Sequence, residues 1–247
     1  MKLDVFMSPG EIAPGDVQGR VVAVIDVLRA STSIAVALAN GARTVVPVED
    51  VDEAITRSRQ FERTQVRLAG ERRMLPIPGF DMGNSPVEFT SEAVNDRTVL
   101  ITTTNGTRSL LALQGARDIV VASYVNLSVV SVMLRAAARA NDISIVCAGT
   151  EGHFSLEDAA CAGRYVRSIT QPGSSLTLND AARACALIDG KYGDNIAEIF
   201  GDSWHGQALA EAGFGDDLVA CASVDSHPVV PIYQDRQITR LGPDRER

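Results

Sequence analysis

Along this chain, short apolar runs alternate with stretches whose apolar residues recur every three or four positions. The runs at 3–6, 21–27, 44–48, 66–69, 98–103, 118–122 and 143–147 predict strands. Several of them are apolar without interruption, as strands covered on both faces are. Between them, 33–40, 51–62, 107–114 and 126–140 predict helices. Alternation of this kind implies βαβ units, with a parallel or mostly parallel sheet and helices packed on both of its faces. The pattern changes at 155. Helical periodicity then dominates (155–169, 178–192, 196–200, 203–212), followed by a β-like tail at 228–239 and a polar end at 242–247. No repeat, low-complexity tract or long linker interrupts the pattern, so the expectation is one α/β domain over residues 1–247 with a helical C-terminal portion.

Composition narrows the function. Hydrophobic residues make up 45% and charged residues 22% of the 247 positions, which supplies ample apolar surface for a folded core. No run approaches the roughly 18 apolar residues of a membrane span, and the first 20 residues lack the apolar core of a secretory signal, so the expectation is a cytoplasmic protein. The formal charge of −8 argues against nucleic acid or an anionic membrane as a partner. Only Lys2 and Lys191 are lysines, and every other fixed cation is an arginine. Genomic drift explains most of that bias, yet arginine is also the side chain whose planar fork grips oxyanions. The four cysteines show no metal-binding spacing and read as buried thiols.

Three strand ends share one design. Val21–Ile25 runs into Asp26-Val-Leu-Arg29-Ala-Ser31; residues 98–102 run into Thr103-Thr104-Asn105-Gly106-Thr107; residues 143–147 run into Ala-Gly149-Thr150. At the carboxyl edge of a parallel sheet such turns line a common crevice, and each following helix offers unpaired N–H groups to an anion. One turn alone is ordinary helix capping; three together favour a phosphate-like ligand. Asp26 closes the most apolar strand, where a carboxylate needs a partner. A Mg²⁺ ligand or nucleophile and an ion pair with Arg29 fit equally well. Glu157 and Asp158 open a helix, where acids favour the dipole and Ser155 with Asp158 spells a capping box; a metal role needs support from elsewhere. The polar segment 70–86 offers Glu71, Asp81, an Arg72-Arg73 pair and a Gly-Asn84-Ser85-Pro turn, which reads as an anion clamp, a lid or a surface loop. Of the three histidines, His205 beside Gly206 is the one to watch.

Several chemistries are excluded. The chain has no P-loop, no dinucleotide-binding glycine fingerprint, no serine-hydrolase elbow and no two-aspartate phosphatase motif. The ordered set Ile-Asp26-Val-Leu-Arg29-Ala-Ser31, Gly-Glu71-Arg72, Gly-Phe-Asp81, Gly-Asn84-Ser85-Pro, Thr-Asn105-Gly106-Thr107, Cys147-Ala-Gly149 and Phe-Ser-Leu-Glu157-Asp158, with His205-Gly206 later, resembles the 2-phosphosulfolactate phosphatase family, the ComB-like proteins. The resemblance runs from about Phe6 to Pro231. It implies a three-layer α/β/α fold, a Mg²⁺ cofactor and hydrolysis of the phosphate monoester of 2-phospho-3-sulfolactate or a related small phospho-acid. On that reading Asp26, Glu157 and Asp158 are the metal candidates, and Asp26, Glu157 and Asp81 the catalytic ones. Arg29, Ser31, Arg72, Asn84, Ser85, Thr104, Asn105, Gly106, Thr107 and Gly149 are the substrate-binding candidates. The alternative is a non-catalytic module that senses a phosphorylated metabolite. A homodimer is the default expectation for a symmetric enzyme of this size.

Overall fold

The computed structural model describes residues 1–13, 15–104, 109–110 and 113–242. Among these, eleven strands form one sheet in the order β5-β4-β6-β3-β11-β10-β7-β2-β8-β1-β9. One parallel block holds β4 (Val66–Arg72), β6 (Thr98–Thr102) and β3 (Thr44–Pro47). The other holds β7 (Asp118–Ala122), β2 (Val21–Ile25), β8 (Ile143–Cys147), β1 (Lys2–Phe6) and the two-residue edge strand β9 (Thr177–Leu178). The expected strands are all present, and the α/β architecture with a mostly parallel sheet holds.

The C-terminal hairpin, β10 (Pro231–Gln234) and β11 (Gln237–Arg240), lies between the two blocks, pairing antiparallel with β7 on one side and β3 on the other. The sequence shows a β-like tail but not this central place. Three antiparallel pairings in succession make the two parallel blocks run in opposite senses along the ladder. Residues at the carboxyl ends of both blocks nevertheless line one cavity; at a typical twist of roughly 20–25° per strand, the five steps from β2 to β6 would turn the strand direction by about 100° or more, which favours such a meeting.

Alternation along the strands sends side chains to two cores. Val21, Ala23 and Ile25 join one cluster with Ile143, Ile145 and Cys147, under α4 (Leu127–Ala137), α5 (Leu156–Ile169) and α6 (Asp180–Tyr192). Val22 and Val24 join the opposite cluster with Ile34 and Leu38 of α1 (Ala30–Ala39). Helices therefore cover both faces. A smaller cluster packs α2 (Val51–Ser58) on Val46, Val66 and Leu100. The helices α5 and α6 lie so close at Gly163 that a Cβ there would sit 1.9 Å from the Cys185 carbonyl. After them come α7 (Ile196–Asp202), α8 (Trp204–Glu211) and α9 (Gly215–Ala222), the last without a clear apolar period in the sequence. A short helix, α3 (Ser91–Val94), completes the set.

Some predicted boundaries move. The polar stretch expected as a loop from 70 onward begins as strand: β4 continues to Arg72 and folds back through β5 (Leu75–Pro76). Leu178, expected to start a helix, pairs with β1 instead, as Thr177 before it does, and Asn179 caps α6 from the following position. No described helix is long and apolar enough to cross a membrane.

Candidate active site

The strand β2 is buried at every position and ends one residue before Asp26. There the polar turn knits itself together. The Asp26 N–H donates to Ser31 Oγ (2.9 Å), its Oδ1 accepts the Ala30 N–H (3.2 Å), and its carbonyl accepts the Ser31 N–H (2.8 Å). Ser31 thus supports the main chain at the start of α1. Above Asp26 opens a cavity of about 270 Å³. Its wall is assembled from the β2–α1 turn (Asp26, Leu28, Arg29), the β4–β5 hairpin (Glu71, Arg73, Met74), Asn84, and Thr103 with Thr104 beyond β6. Thr150 and Glu151 after β8 and Trp204, His205 and Ala208 of α8 complete it.

Its floor is acidic. Burial pushes the Asp26 carboxyl up to about 7, and the neighbouring Glu71 and Glu157 add to that rise against the opposing Ala30 N–H and Arg29. Asp158 is also pushed well up, first by burial and then by Asp26 and Glu157. It nevertheless accepts the Val27 N–H (2.9 Å) and the Gly149 N–H (3.0 Å), fastening together the ends of β2 and β8. Gly149 can present its N–H this way because its φ is +68° and a Cβ would lie 2.2 Å from the His153 carbonyl. Glu71 is similarly engaged: its two oxygens accept the N–H groups of Met74 (2.9 Å) and Thr104 (2.8 Å).

The cationic groups are unequal. Arg29 is buried, its Nη1 on Asp217 Oδ2 (2.6 Å), its Nη2 on the Met74 carbonyl (2.8 Å), and its guanidinium 4.4 Å from the Phe214 ring centroid. The other oxygen of Asp217 takes the Ser85 hydroxyl, so one carboxylate of α9 holds both the Arg29 fork and the 84–85 turn. His205 is shifted below its usual range by burial, with Arg29 acting the same way against the acids Glu157 and Glu71. Asn84 fixes its main chain through the Ser33 hydroxyl (2.8 Å), while its Oδ1 is buried with no hydrogen-bond partner among the described residues.

The fold gathers Asp26, Arg29, Asn84 and Thr104 on the cavity, with Glu157 and Asp158 buried behind it, Ser31 under the turn and Ser85 on Asp217. Two other candidates lie elsewhere. Asp81 binds the Arg63 guanidinium and the Leu68 N–H (2.8 Å) at a separate surface groove, and those contacts hold its carboxyl below the usual range even though burial works to raise it. Arg72 points away from the cavity to Thr102 Oγ1 (3.0 Å) and the Glu71 carbonyl (2.8 Å). Period-2 alternation at the end of β4 explains the split: Glu71 faces inward, so Arg72 cannot. Asn105, Gly106 and Thr107 fall outside the described residues. Sequence reasoning left Glu71 and Arg73 unselected although both stand in the same polar segment, and nothing in the sequence flags Asp217.

The donor set is all oxygen, the chemistry that suits Mg²⁺. Glu71 and Asp158 have both oxygens on backbone amides, so Asp26 and Glu157 are the carboxylates best placed to hold a divalent cation. Among the described residues no group of three or more acidic, histidine or cysteine side chains is placed to hold a metal ion together. Mg²⁺ does not call for one, since it is usually bound through one or two carboxylates and retains waters and substrate oxygens.

Comparison with known proteins shows what the chain is similar to. A family model described as 2-phosphosulpholactate phosphatase matches residues 6–236. A protein of Symbiobacterium thermophilum named probable 2-phosphosulfolactate phosphatase is 40% identical over 227 residues, covering 92% of this chain and 96% of its own. Proteins with the same name from Caldanaerobacter subterraneus (38% identical; 94% and 95% covered) and Clostridium beijerinckii (34%; 97% and 99%) align almost end to end.

Proposed function

The chain belongs to the 2-phosphosulpholactate phosphatase family, and on that premise we propose that it hydrolyses the phosphate monoester of 2-phospho-3-sulfolactate, or a closely related small phospho-acid, with Mg²⁺ held by Asp26 and Glu157. The observation that carries this reading is the crowding of acids around Asp26: Glu71 beside it on the cavity wall and Glu157 buried behind both raise the cost of ionising it. A site built only to bind an anion gains nothing from buried carboxylates. With a divalent cation between them, the same carboxylates and a phosphoryl group attract rather than repel.

When bound, Mg²⁺ would polarise the phosphoryl group and make a nearby water more acidic. The rest of the reaction is positioning by the chain itself. The carboxylate of Asp26 is aimed by the Ala30 N–H and stands at the closed end of the cavity. Arg29 supplies fixed positive charge beside it, its orientation set by Asp217 and the Met74 carbonyl before substrate arrives. The Asn84 Oδ1, which has no partner among the described residues, can accept a hydrogen bond from the attacking water and so orient it. Leu28, Met74 and Ala208 on the cavity wall limit bulk water.

The test is phosphate release from 2-phosphosulfolactate with and without Mg²⁺, using full-length protein. Metal-dependent turnover is expected. No turnover on this or related phospho-acids, combined with tight binding of them, would favour the sensing module instead.

A further inference from the structure

We infer that Arg73 is the residue that selects a second strong acid on the substrate, gripping the sulfonate at C3 while the phosphate lies at the Asp26 floor. This rests on the activity proposed above and names a specificity element within it.

Arg73 and Met74 are the two residues of the β4–β5 turn, with φ of +51° and +69° and Arg72 paired to Leu75 across it. A two-residue hairpin with both central residues left-handed is usually Asn-Gly, because a bulky side chain is disfavoured there. Here the turn is held from both sides by cavity residues. Glu71 Oε2 takes the Met74 N–H, and Arg29 Nη2 takes the Met74 carbonyl. The tip is therefore fixed over the cavity, and Arg73 is carried onto its wall.

The distribution of charge gives Arg73 its task. Asp26 and Glu71 are buried at the floor, whereas Arg73 is exposed at the rim. Arg29 is already saturated on one edge by Asp217. Arg73 makes no hydrogen bond or ion pair with a described residue, so its planar fork is available to an incoming oxyanion. In 2-phospho-3-sulfolactate the phosphate and carboxylate share C2, and the sulfonate on C3 is the acid farthest from the reacting phosphorus. Phosphate at the floor puts that sulfonate toward the rim. The contact then serves ground state and transition state alike, which is how a remote binding group acts.

The experiment compares wild type with Arg73→Ala and Arg73→Lys, each checked by thermal melting, on 2-phosphosulfolactate and on 2-phospholactate, which lacks the sulfonate. For Arg73→Ala the KM for 2-phosphosulfolactate should rise roughly 10- to 100-fold with kcat nearly unchanged, as loss of one charge-assisted contact predicts. The KM for 2-phospholactate should barely move, and Arg73→Lys should fall between. A fall in kcat on both substrates alike would place Arg73 on the phosphoryl group and overturn the inference, as would unchanged kinetics on both. Calorimetric affinities for 3-sulfolactate and lactate judge the same point without turnover. If wild type releases no phosphate from either ester, the proposed activity fails, yet preference for 3-sulfolactate that vanishes in Arg73→Ala would still support the role of Arg73.

Discussion

Two carboxylates are buried in this protein under opposite circumstances. Asp189, on α6, is fully buried and meets two guanidinium groups from the neighbouring helix, Arg164 Nε at 2.8 Å and Arg167 Nη1 at 2.7 Å. Asp26 is buried almost as deeply but lies in the field of two further carboxylates, Glu71 and Glu157, while the adjacent Arg29 is paired with Asp217. The first arrangement answers its own charge and fastens α5 to α6. The second leaves a deficit of positive charge at the bottom of an open cavity. A fold that neutralises a buried acid so thoroughly in one place does not leave another uncompensated for stability's sake. The difference separates structural from chemical burial without reference to any relative.

The comparison breaks most visibly at Asp26. Replacing it with Asn keeps the shape and the Ala30 contact but removes the charge proposed to hold the cation, and phosphate release should fall ~10²-fold or more. The variant should melt no lower than wild type. Unaltered turnover would remove Asp26 from the reaction. The opposite outcome is expected at Asp189. Asp189→Asn leaves two arginines facing a neutral group, and a loss of about 3 kcal/mol is expected, near the low end for a broken buried pair because Arg167 is half exposed and can turn to water. Chemical denaturation measures that loss, and kcat of the folded fraction should stay within about twofold of wild type.

The degree to which the sequence revealed these roles follows from the range over which each signal acts. The strands were legible because continuous apolar runs such as Val21–Ile25 record burial on both faces, and Asp26 was legible because it interrupts such a run. The capping role of Ser155 toward the Asp158 N–H was legible for the same local reason. The choice between Arg72 and Arg73 was not. It depends on β4 continuing three residues past its apolar stretch, which turns Glu71 inward and Arg72 away, and on the two-residue turn that then carries Arg73 onto the cavity wall. Asp217 was hidden more deeply, since it lies 188 positions from the arginine it orients. The central insertion of β10 and β11 was invisible for a related reason: a hairpin's place in a sheet is decided by partners distant in sequence.

A smaller effect sharpens the contrast through pH. The carboxyl of Asp26 rises from 3.8 in the unfolded chain to about 7 in the fold, so between those values the folded state binds more protons and stability falls as pH increases. Asp158 shifts in the same direction. Metal-free wild type should therefore melt lower at pH 8 than at pH 5, and Asp26→Asn should gain on it by about 5 °C or more across that interval. Mg²⁺ held at the proposed site would bind the ionised form, so it should raise the wild-type melting temperature more at pH 8 than at pH 5 and do much less for the variant. Equal Mg²⁺ shifts in the two proteins would take Asp26 out of the cation site.

The smallest effect is expected at Asp81, the one acid nominated for catalysis that the fold places elsewhere. Its partner Arg63 is mostly exposed, so the ion pair between them is largely screened by water. What Asp81 contributes is local: it takes the Leu68 N–H and so helps close the polar segment back onto β4. Asp81→Asn retains an acceptor for that N–H, and a cost of no more than about 1 kcal/mol is expected. Because Asp81 faces a groove bounded by Arg63, Arg67 and Met82 rather than the cavity, kcat and KM should both stay within about twofold of wild type. A large loss of kcat at unchanged stability would mean that the hairpin carrying Arg73 rearranges during turnover and brings this carboxylate into the reaction. The distinction between the acidic cavity floor and the paired acids around it would then have to be redrawn.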